Sequence, residues 1–173
     1  MGYTRYNLVS QINANKITPT RGGVIIYTVF NGIIYFGFAL DTQTHELTDF
    51  AGGIHYEKGE TCIEGCLREF TEESLGIFGD IQINDEILAS PVIYDEHNMI
   101  IFLRTSFTPD EISKSFNKAF LQYEDNIKYY PSENCAIVWL TYRELRDQLS
   151  RGAAIYYRTR KFLKSAGTFI HYL

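Results

Sequence analysis

Three glutamates stand at helical spacing in the middle of the chain. The stretch from Gly59 to Phe78 reads GETCIEGCLREFTEESLGIF, and we predict a helix over about Thr61 to Leu75. At about 100° per residue, Glu69, Glu72 and Glu73 fall on one narrow helix face. Like charges this close repel one another, and a bound cation would relieve this repulsion. Carboxylate oxygens select hard ions, and the pattern therefore indicates Mg²⁺ or Mn²⁺.

The remaining faces of this helix are also consistent with a metal site. Ile63, Leu67 and Phe70 lie nearly opposite the glutamates and can dock on a sheet. Small residues such as Gly65 and Cys66 flank the acidic face, which leaves room for a metal and phosphates. The alternative interpretation is a solvated acidic helix surface. It accounts for the charges but leaves their mutual repulsion unrelieved.

The residues in and around this helix resemble the Nudix box of the Nudix hydrolases. That pattern is Gly, five residues, Glu, seven residues, then Arg-Glu-apolar-any-Glu-Glu-any-Gly-apolar. The matching residues are Gly53, Glu60, Arg68, Glu69, Phe70, Glu72, Glu73 and Gly76. The spacing from Glu60 through Glu73 matches without a gap. One extra residue before Glu60 and one after Glu73 fall in loops or helix ends, where insertions are tolerated.

The resemblance implies an α/β/α sandwich around a mixed sheet. It also implies divalent-metal-dependent hydrolysis of a nucleoside diphosphate linked to another group. Carried over residue by residue, the implied roles are Glu69 as general base and metal ligand, Glu72 and Glu73 as metal ligands, Arg68 as the brace of the carboxylates with Glu60 as its partner, and the Gly52 carbonyl as a further metal ligand. A carboxylate within reach of the attacking water can remove its proton.

Further candidates lie outside the box. Members of the family commonly have another metal ligand, and we place Glu133, just before a predicted strand, ahead of Glu124 and Asp125. The candidate substrate-binding residues are Arg158, Arg160 and Lys161 in a locally basic C-terminal run, and His55 in the glycine loop. For all four, an ordinary solvated surface is the alternative.

These features support three functions. The first is a metal-dependent pyrophosphohydrolase of a small nucleotide derivative. The second, favoured only by the basic C-terminal run, is a hydrolase of an mRNA cap, with RNA as its partner, or of a diphosphoinositol polyphosphate. The third is a catalytically silent Nudix-fold binding module, which should have lost a box carboxylate. This chain retains all of them. A homodimer is left open.

The elements that must position these residues interleave strands and helices, so we predict the α/β class with a mixed sheet between helices. With 173 residues, 45% of them hydrophobic and 21% charged, the chain suits one domain over residues 1–173. Val24–Phe30 and Ile33–Leu40 are predicted to form a hairpin, because Asn31-Gly32 between two β-rich runs is a strong turn signal. A membrane span over this apolar stretch is the rejected alternative.

The other expected elements follow from local patterns. They are a short strand or helix over Tyr3–Ala14, an extended Leu47–Phe50, a second hairpin of Glu86–Tyr94 and Met99–Phe107, a helix beginning at Thr108–Glu111, a strand over Ala136–Leu140, and helices over Thr141–Leu149 and about Ala153–Lys164.

Charge and cysteine usage exclude several classes of protein. The net charge of −5 and a pI near 5.4 argue against a general nucleic-acid coat protein. The polar start, Met1–Ser10, has no apolar core and does not resemble a signal peptide. Three cysteines do not make a disulfide framework. We therefore expect a reducing compartment, the cytoplasm, and no membrane partner.

Overall fold

The computed structural model describes residues 18–126, 132–152 and 154–166. The strands are β1 (Arg21–Phe30), β2 (Ile33–Asp41), β3 (Leu47–Thr48), β4 (Phe50–Gly53), β5 (Val92–Tyr94), β6 (Asn98–Arg104) and β7 (Asn134–Thr141). The helices are α1 (Cys62–Glu73), α2 (Asp85–Leu88), α3 (Pro109–Asn126), α4 (Tyr142–Arg151) and α5 (Tyr157–Ala166), and a 3₁₀ turn covers Tyr56–Lys58. The expected strand or helix over Tyr3–Ala14 lies outside the described residues.

The strands form one mixed sheet. Its main path runs β3-β2-β1-β6-β5, with β4 beside β1 and β7 beside β2. Strand β1 is antiparallel to β2 and β4 and parallel to β6. Because β4 pairs with the start of β1, Gly52 lies opposite Gly22, and Gly53 lies opposite Arg21. This register places the glycine loop at the end of the sheet where β1 begins.

Apolar side chains pack on both faces of the sheet. On one face, α1 and α3 cover side chains such as Val24 and Ile26, and on the other α4 and α5 cover Ile25 and Tyr27. Successive residues of β1 point to opposite faces, so this strand is buried on both sides. The predicted α/β/α sandwich with a mixed sheet is confirmed.

The first hairpin is confirmed. Asn31 and Gly32 both have positive φ, 52° and 74°, as the tight turn between β1 and β2 requires. The apolar stretch rejected as a membrane span is therefore two neighbouring sheet strands. Within the described residues, no helix has the length and apolar character needed to cross a bilayer.

Several boundaries differ from the sequence-based expectation. Strand β1 begins at Arg21 rather than Val24, and β6 ends at Arg104 rather than Phe107. The predicted strand over Glu86–Tyr94 is wrong in its first part, because Asn84 accepts a hydrogen bond from the Ile87 amide (2.9 Å) and caps the short helix α2. Helix α5 begins at Tyr157, later than expected. The chain before it is extended, since Ile155 bridges to Leu47.

Helix α1 has a defined start and end. At its start, the Thr61 side chain accepts from the Glu64 amide and the Glu64 carboxylate accepts from the Thr61 amide, which is a capping box. At its end, Leu75 (φ 57°) and Gly76 (φ 69°) are both left-handed. The turn thus begins one residue before the glycine, and Leu75 bears a steric cost of roughly 1–2 kcal/mol.

Candidate active site

Helix α1 is held on the sheet by its apolar side. Ile63, Leu67 and Phe70 are buried, and the Phe70 ring meets Phe50 of β4 edge-on at 5.3 Å between centroids. This packing turns part of the acidic side of α1 toward β4. The predicted helix and its apolar face are confirmed.

The Arg68 guanidinium joins the helix to the glycine loop. Its Nε donates to Glu60 Oε1 (2.8 Å), its Nη2 to the Gly53 carbonyl (2.7 Å), and its Nη1 to Glu69 Oε1 (2.7 Å). A longer contact of 3.3 Å reaches Glu72 Oε2. Because the guanidinium is planar and its donors diverge at fixed angles, these bonds fix the Glu69 carboxylate relative to the loop.

Glu60 completes this arrangement. Its Oε2 accepts from the His55 backbone amide (2.7 Å), so the carboxylate spans the loop and the helix. The hydrogen bond from Arg68 lowers the pKa of Glu60, and the hydrogen bond to Glu60 raises that of Arg68. Both groups therefore remain charged at neutral pH.

Glu69 lies directly against the backbone of β4. A Cβ atom built on Gly52 would stand 2.3 Å from Glu69 Cδ, whereas one built on Gly53 would meet nothing within 4 Å. Only a glycine at position 52 lets the carboxylate approach the strand this closely. The space that a side chain would fill is occupied by the Glu69 carboxylate.

Glu73 is the most perturbed carboxylate of the helix. Its Oε2 accepts from the Ala51 amide (2.9 Å) and from Asn134 Nδ2 (3.3 Å), both of which are neutral donors. Burial, together with the negative charge of Asp49, raises the pKa of Glu73 to about 8. A cation beside Glu73 would reverse this effect, because opposite charge favours the ionised form.

A buried ion pair lies next to Glu73. Arg21 Nη1 and Nη2 donate to Asp49 Oδ2 and Oδ1 at 2.8 and 3.0 Å, and Asp49 is fully buried. Thr159 of α5 donates a further 2.6 Å hydrogen bond to Asp49. Burial opposes ionisation of Asp49, but Arg21 outweighs it and lowers the pKa. The Arg21 guanidinium is therefore already paired with Asp49.

The three box glutamates lie in different surroundings. Glu69 is held by Arg68, Glu72 has a side chain 60% exposed, and Glu73 points to β4 and β7. Within residues 18–126, 132–152 and 154–166, no three His, Cys, Asp or Glu side chains are grouped closely enough to hold a metal ion. The Arg68 guanidinium, between Glu69 and Glu72, supplies the positive charge there.

The donor set nevertheless fits Mg²⁺ or Mn²⁺. The available ligand atoms are carboxylate and backbone carbonyl oxygens, which hard cations prefer. The Glu73 carboxylate, bonded to neutral donors, is the group that such a cation would neutralise. The missing Cβ at Gly52 brings the Glu69 carboxylate against the backbone of β4.

Glu133, the expected outer ligand, and its neighbour Asn134 are placed differently relative to Glu73. The Glu133 side chain is exposed, and its charge contributes to the raised pKa of Glu73 after burial and Asp49. The neighbouring Asn134 is the residue that contacts Glu73. Sequence reasoning chose the acid and missed the buried amide beside it.

The four substrate-binding candidates differ in their exposure and in the hydrogen bonds that they already make. Arg158 and Lys161 are exposed on α5, whereas the Arg160 guanidinium donates to the Gly152 carbonyl at the end of α4 and is at least partly committed to the fold. The His55 ring contacts Glu57 (3.1 Å), and only its backbone amide reaches Glu60. Of these four residues, Arg158 and Lys161 are the ones most open to a ligand.

Sequence reasoning also missed Arg21 and Asp49. The one available signal is Asp49 itself, an acid next to the apolar Phe50 in the extended segment that begins at Leu47. Acids are seldom buried unless paired, so a partner could be expected there, but nothing in the local pattern points to Arg21.

No protein-family model and no curated protein matches the chain. Among solved structures it is similar to two of an Ap4A hydrolase of C. elegans. The first, a binary complex, shows 16% identity over 90% of this chain and 100% of that chain with a TM-score of 0.46, and the second shows 18% identity over 89% and 99% with 0.42.

A Listeria monocytogenes structure described as a Nudix hydrolase is similar at 14% identity, over 90% of this chain and 96% of that chain, with a TM-score of 0.46. All three identities are below 25% and all three TM-scores below 0.5. A function therefore has to be supported by the box and by the geometry of the site.

Proposed function

We propose that this chain is a Nudix-type pyrophosphohydrolase that uses Mg²⁺ or Mn²⁺ to cleave a diphosphate linkage in a nucleoside diphosphate derivative. The observation that carries the proposal is the position of Glu69, whose carboxylate occupies the space left by Gly52 and is fixed by Arg68. A solvated acidic surface requires neither the missing Cβ nor the guanidinium brace.

The residues have separate parts in the proposed mechanism. Arg68 binds Oε1 of Glu69, so Oε2 is the oxygen that would take a proton from the attacking water. Glu60 and the Gly53 carbonyl hold Arg68 in place for this step. A metal held by Glu69, Glu72, Glu73, the Gly52 carbonyl and Glu133 would neutralise phosphate charge and acidify the water.

A phosphate-release screen tests the proposal. Substrates are nucleotide sugars, Ap4A and other dinucleoside polyphosphates, capped RNA and diphosphoinositol polyphosphates, each with Mg²⁺, Mn²⁺ or EDTA. We expect turnover of a nucleotide substrate that vanishes with EDTA. No hydrolysis of any substrate would instead support the silent binding module, and preference for capped RNA or an inositol pyrophosphate would favour the second function.

Matched variants separate the site from the surface. Glu69→Gln should lower kcat by about 10²-fold or more, the usual scale for loss of a general base. Glu86→Gln makes the same chemical change on an exposed residue of α2 and should leave kcat unchanged. Equal activity of the two variants would overturn the assignment of Glu69.

We also propose that residues 1–173 act as one domain in the cytoplasm. Cys66 and Cys135 are free thiols, which suits a reducing compartment. Burial raises the pKa of the Cys66 thiol, so this residue is a packing residue rather than a nucleophile.

A further inference from the structure

Strand β7 carries one extra residue where it runs beside the end of β2. Leu40 lies opposite Ala136, but the next residue, Asp41, lies opposite Asn134, so Cys135 is the extra residue. Two residues of one strand against one of its partner make a β-bulge, which bends the strand and re-aims a side chain. The side chain that this bulge re-aims is that of Asn134.

The bulge decides on which face of the sheet Asn134 lies. Further along β7, Ile137 belongs to the core under α1 and α3, whereas Leu140 belongs to the core under α4 and α5. Regular alternation from Leu140 back along the strand would point Asn134 toward α4 and α5. With the bulge, Asn134 instead faces α1, and its Nδ2 reaches Oε2 of Glu73 (3.3 Å).

Two neutral donors from separate strands bind the same oxygen of Glu73. The Ala51 amide of β4 donates to Oε2 (2.9 Å), and Asn134 Nδ2 of β7 donates to the same atom. Asn134 Nδ2 also lies 3.5 Å from the Glu73 backbone carbonyl oxygen. Among the described residues, none donates a hydrogen bond to Oε1 of Glu73. The carboxylate is thus held through one oxygen, which leaves the other as the oxygen for a cation.

Asn134 is itself held in place. It is buried, and its backbone carbonyl accepts from the Ser132 hydroxyl (2.8 Å). Thr42, just after β2, donates through its hydroxyl to the Ser132 carbonyl (2.8 Å) and through its amide to the Glu133 carbonyl (2.8 Å). A buried amide on backbone anchored in this way can hold a carboxylate in one orientation.

We propose that Asn134 is a positioning residue of the metal site, which fixes Oε2 of Glu73 so that Oε1 is left for the cation. This inference rests on the proposed function and adds a residue that the box does not contain. Because the amide is uncharged, it orients Glu73 without supplying the positive charge that a metal would supply. Arg68 differs in this respect, since its guanidinium both orients and neutralises Glu69.

Binding of Mn²⁺ to the full chain, without substrate, tests this role independently of turnover. The Kd is measured from the electron paramagnetic resonance signal of free Mn²⁺. Asn134→Ala and Asn134→Leu both remove the donor, and the second variant retains most of the side-chain volume. We expect the Kd to rise about 10- to 100-fold in both, the usual effect of losing a group that orients a metal ligand. Urea unfolding in EDTA identifies the variants that are folded.

Two comparisons separate positioning from a general structural effect. Cys135→Ala changes the neighbouring residue of the bulge, whose Sγ contacts the Leu40 carbonyl (3.5 Å), and should bind Mn²⁺ like the wild type. In a Glu73→Gln background, Asn134→Ala should weaken Mn²⁺ binding by no more than about twofold further, because the amide acts through Glu73. A general loss of structure would be as large in that background as in the wild type.

The outcomes distinguish this role from the proposed function. Wild-type affinity for Mn²⁺ in the folded Asn134 variants, or an equal loss in Cys135→Ala or in the Glu73→Gln background, would overturn the positioning role. If that happens while nucleotides are still hydrolysed, the enzyme stands. If Mn²⁺ binding depends on Asn134 as expected but no substrate is hydrolysed, the enzyme fails and the positioning role stands. A wild-type protein that binds no Mn²⁺ would overturn both.

Discussion

Adding one methyl group to Gly52 should displace the carboxylate of Glu69, the proposed general base. The new Cβ would stand 2.3 Å from Glu69 Cδ and Oε2 and 2.5 Å from Oε1. An ordinary contact begins near 3.4 Å, so the carboxylate has to retreat by about 1.1 Å (3.4 − 2.3). Gly52 lies in β4 and does not have a positive φ, so alanine suits its backbone.

The displacement should affect rate far more than stability. A misplacement of about 1 Å in a catalytic group can cost about 10²-fold in rate. Moving Glu69 away from Arg68 removes one charge-assisted hydrogen bond, partly exposed to solvent, at a cost of about 1 kcal/mol in the free energy of unfolding. We therefore expect kcat of Gly52→Ala to fall about 100-fold while the protein remains folded at 25 °C.

Gly53→Ala provides the control in the next residue. Its Cβ would meet nothing within 4 Å, and the carbonyl that accepts from Arg68 is unchanged. The assay compares kcat at saturating metal, with urea unfolding of all three proteins in parallel. The reasoning is refuted if Gly52→Ala keeps kcat within about threefold of wild type, or if Gly53→Ala loses as much.

Three further predictions concern stability. Since the pKa of Glu73 is raised to about 8, its contribution to the free energy of unfolding in EDTA is full below about pH 4.5 and is lost as pH rises through 8, by at most about 1.4 kcal/mol per pH unit. Urea unfolding from pH 5 to 8 should therefore show a smaller change of the free energy of unfolding with pH for Glu73→Gln than for the wild type, and equal changes would contradict this. Leu67→Ala should cost roughly 2–5 kcal/mol through a core cavity, measured by urea unfolding, with kcat per folded molecule nearly unchanged. Gly32→Ala, with φ 74° and open space around it, should cost about 1 kcal/mol by backbone strain alone, with normal activity.

Some of the fold and the site could be predicted because the signals are local. The capping residues and the apolar spacing of α1 lie within one segment, and so does the Asn31-Gly32 turn. The same holds for the box itself, whose spacing places Arg68 within reach of both Glu60 and Glu69. In each case, one helix or one turn determines which side chains meet.

The start of the second hairpin shows how local competition misleads. An apolar run follows Glu86 and favours a strand. The Asn84 side chain instead accepts a hydrogen bond from the Ile87 amide, so the short helix α2 forms there. A single N-cap residue thus outweighs the weak strand pattern of the three residues after Glu86.

The tertiary structure alone decided which groups surround the glutamates. Their helical spacing predicts a shared face, but docking of α1 on β4 turns Glu73 toward Ala51 and Asn134 and leaves Glu72 exposed. The Arg21–Asp49 pair joins residues 28 positions apart, and the Asn134–Glu73 contact joins residues 61 apart. Such contacts follow from sheet register and helix docking, which no periodicity along the chain records. The sequence by itself therefore determined the chemistry available on α1, and packing determined the electrostatic environment in which that chemistry operates.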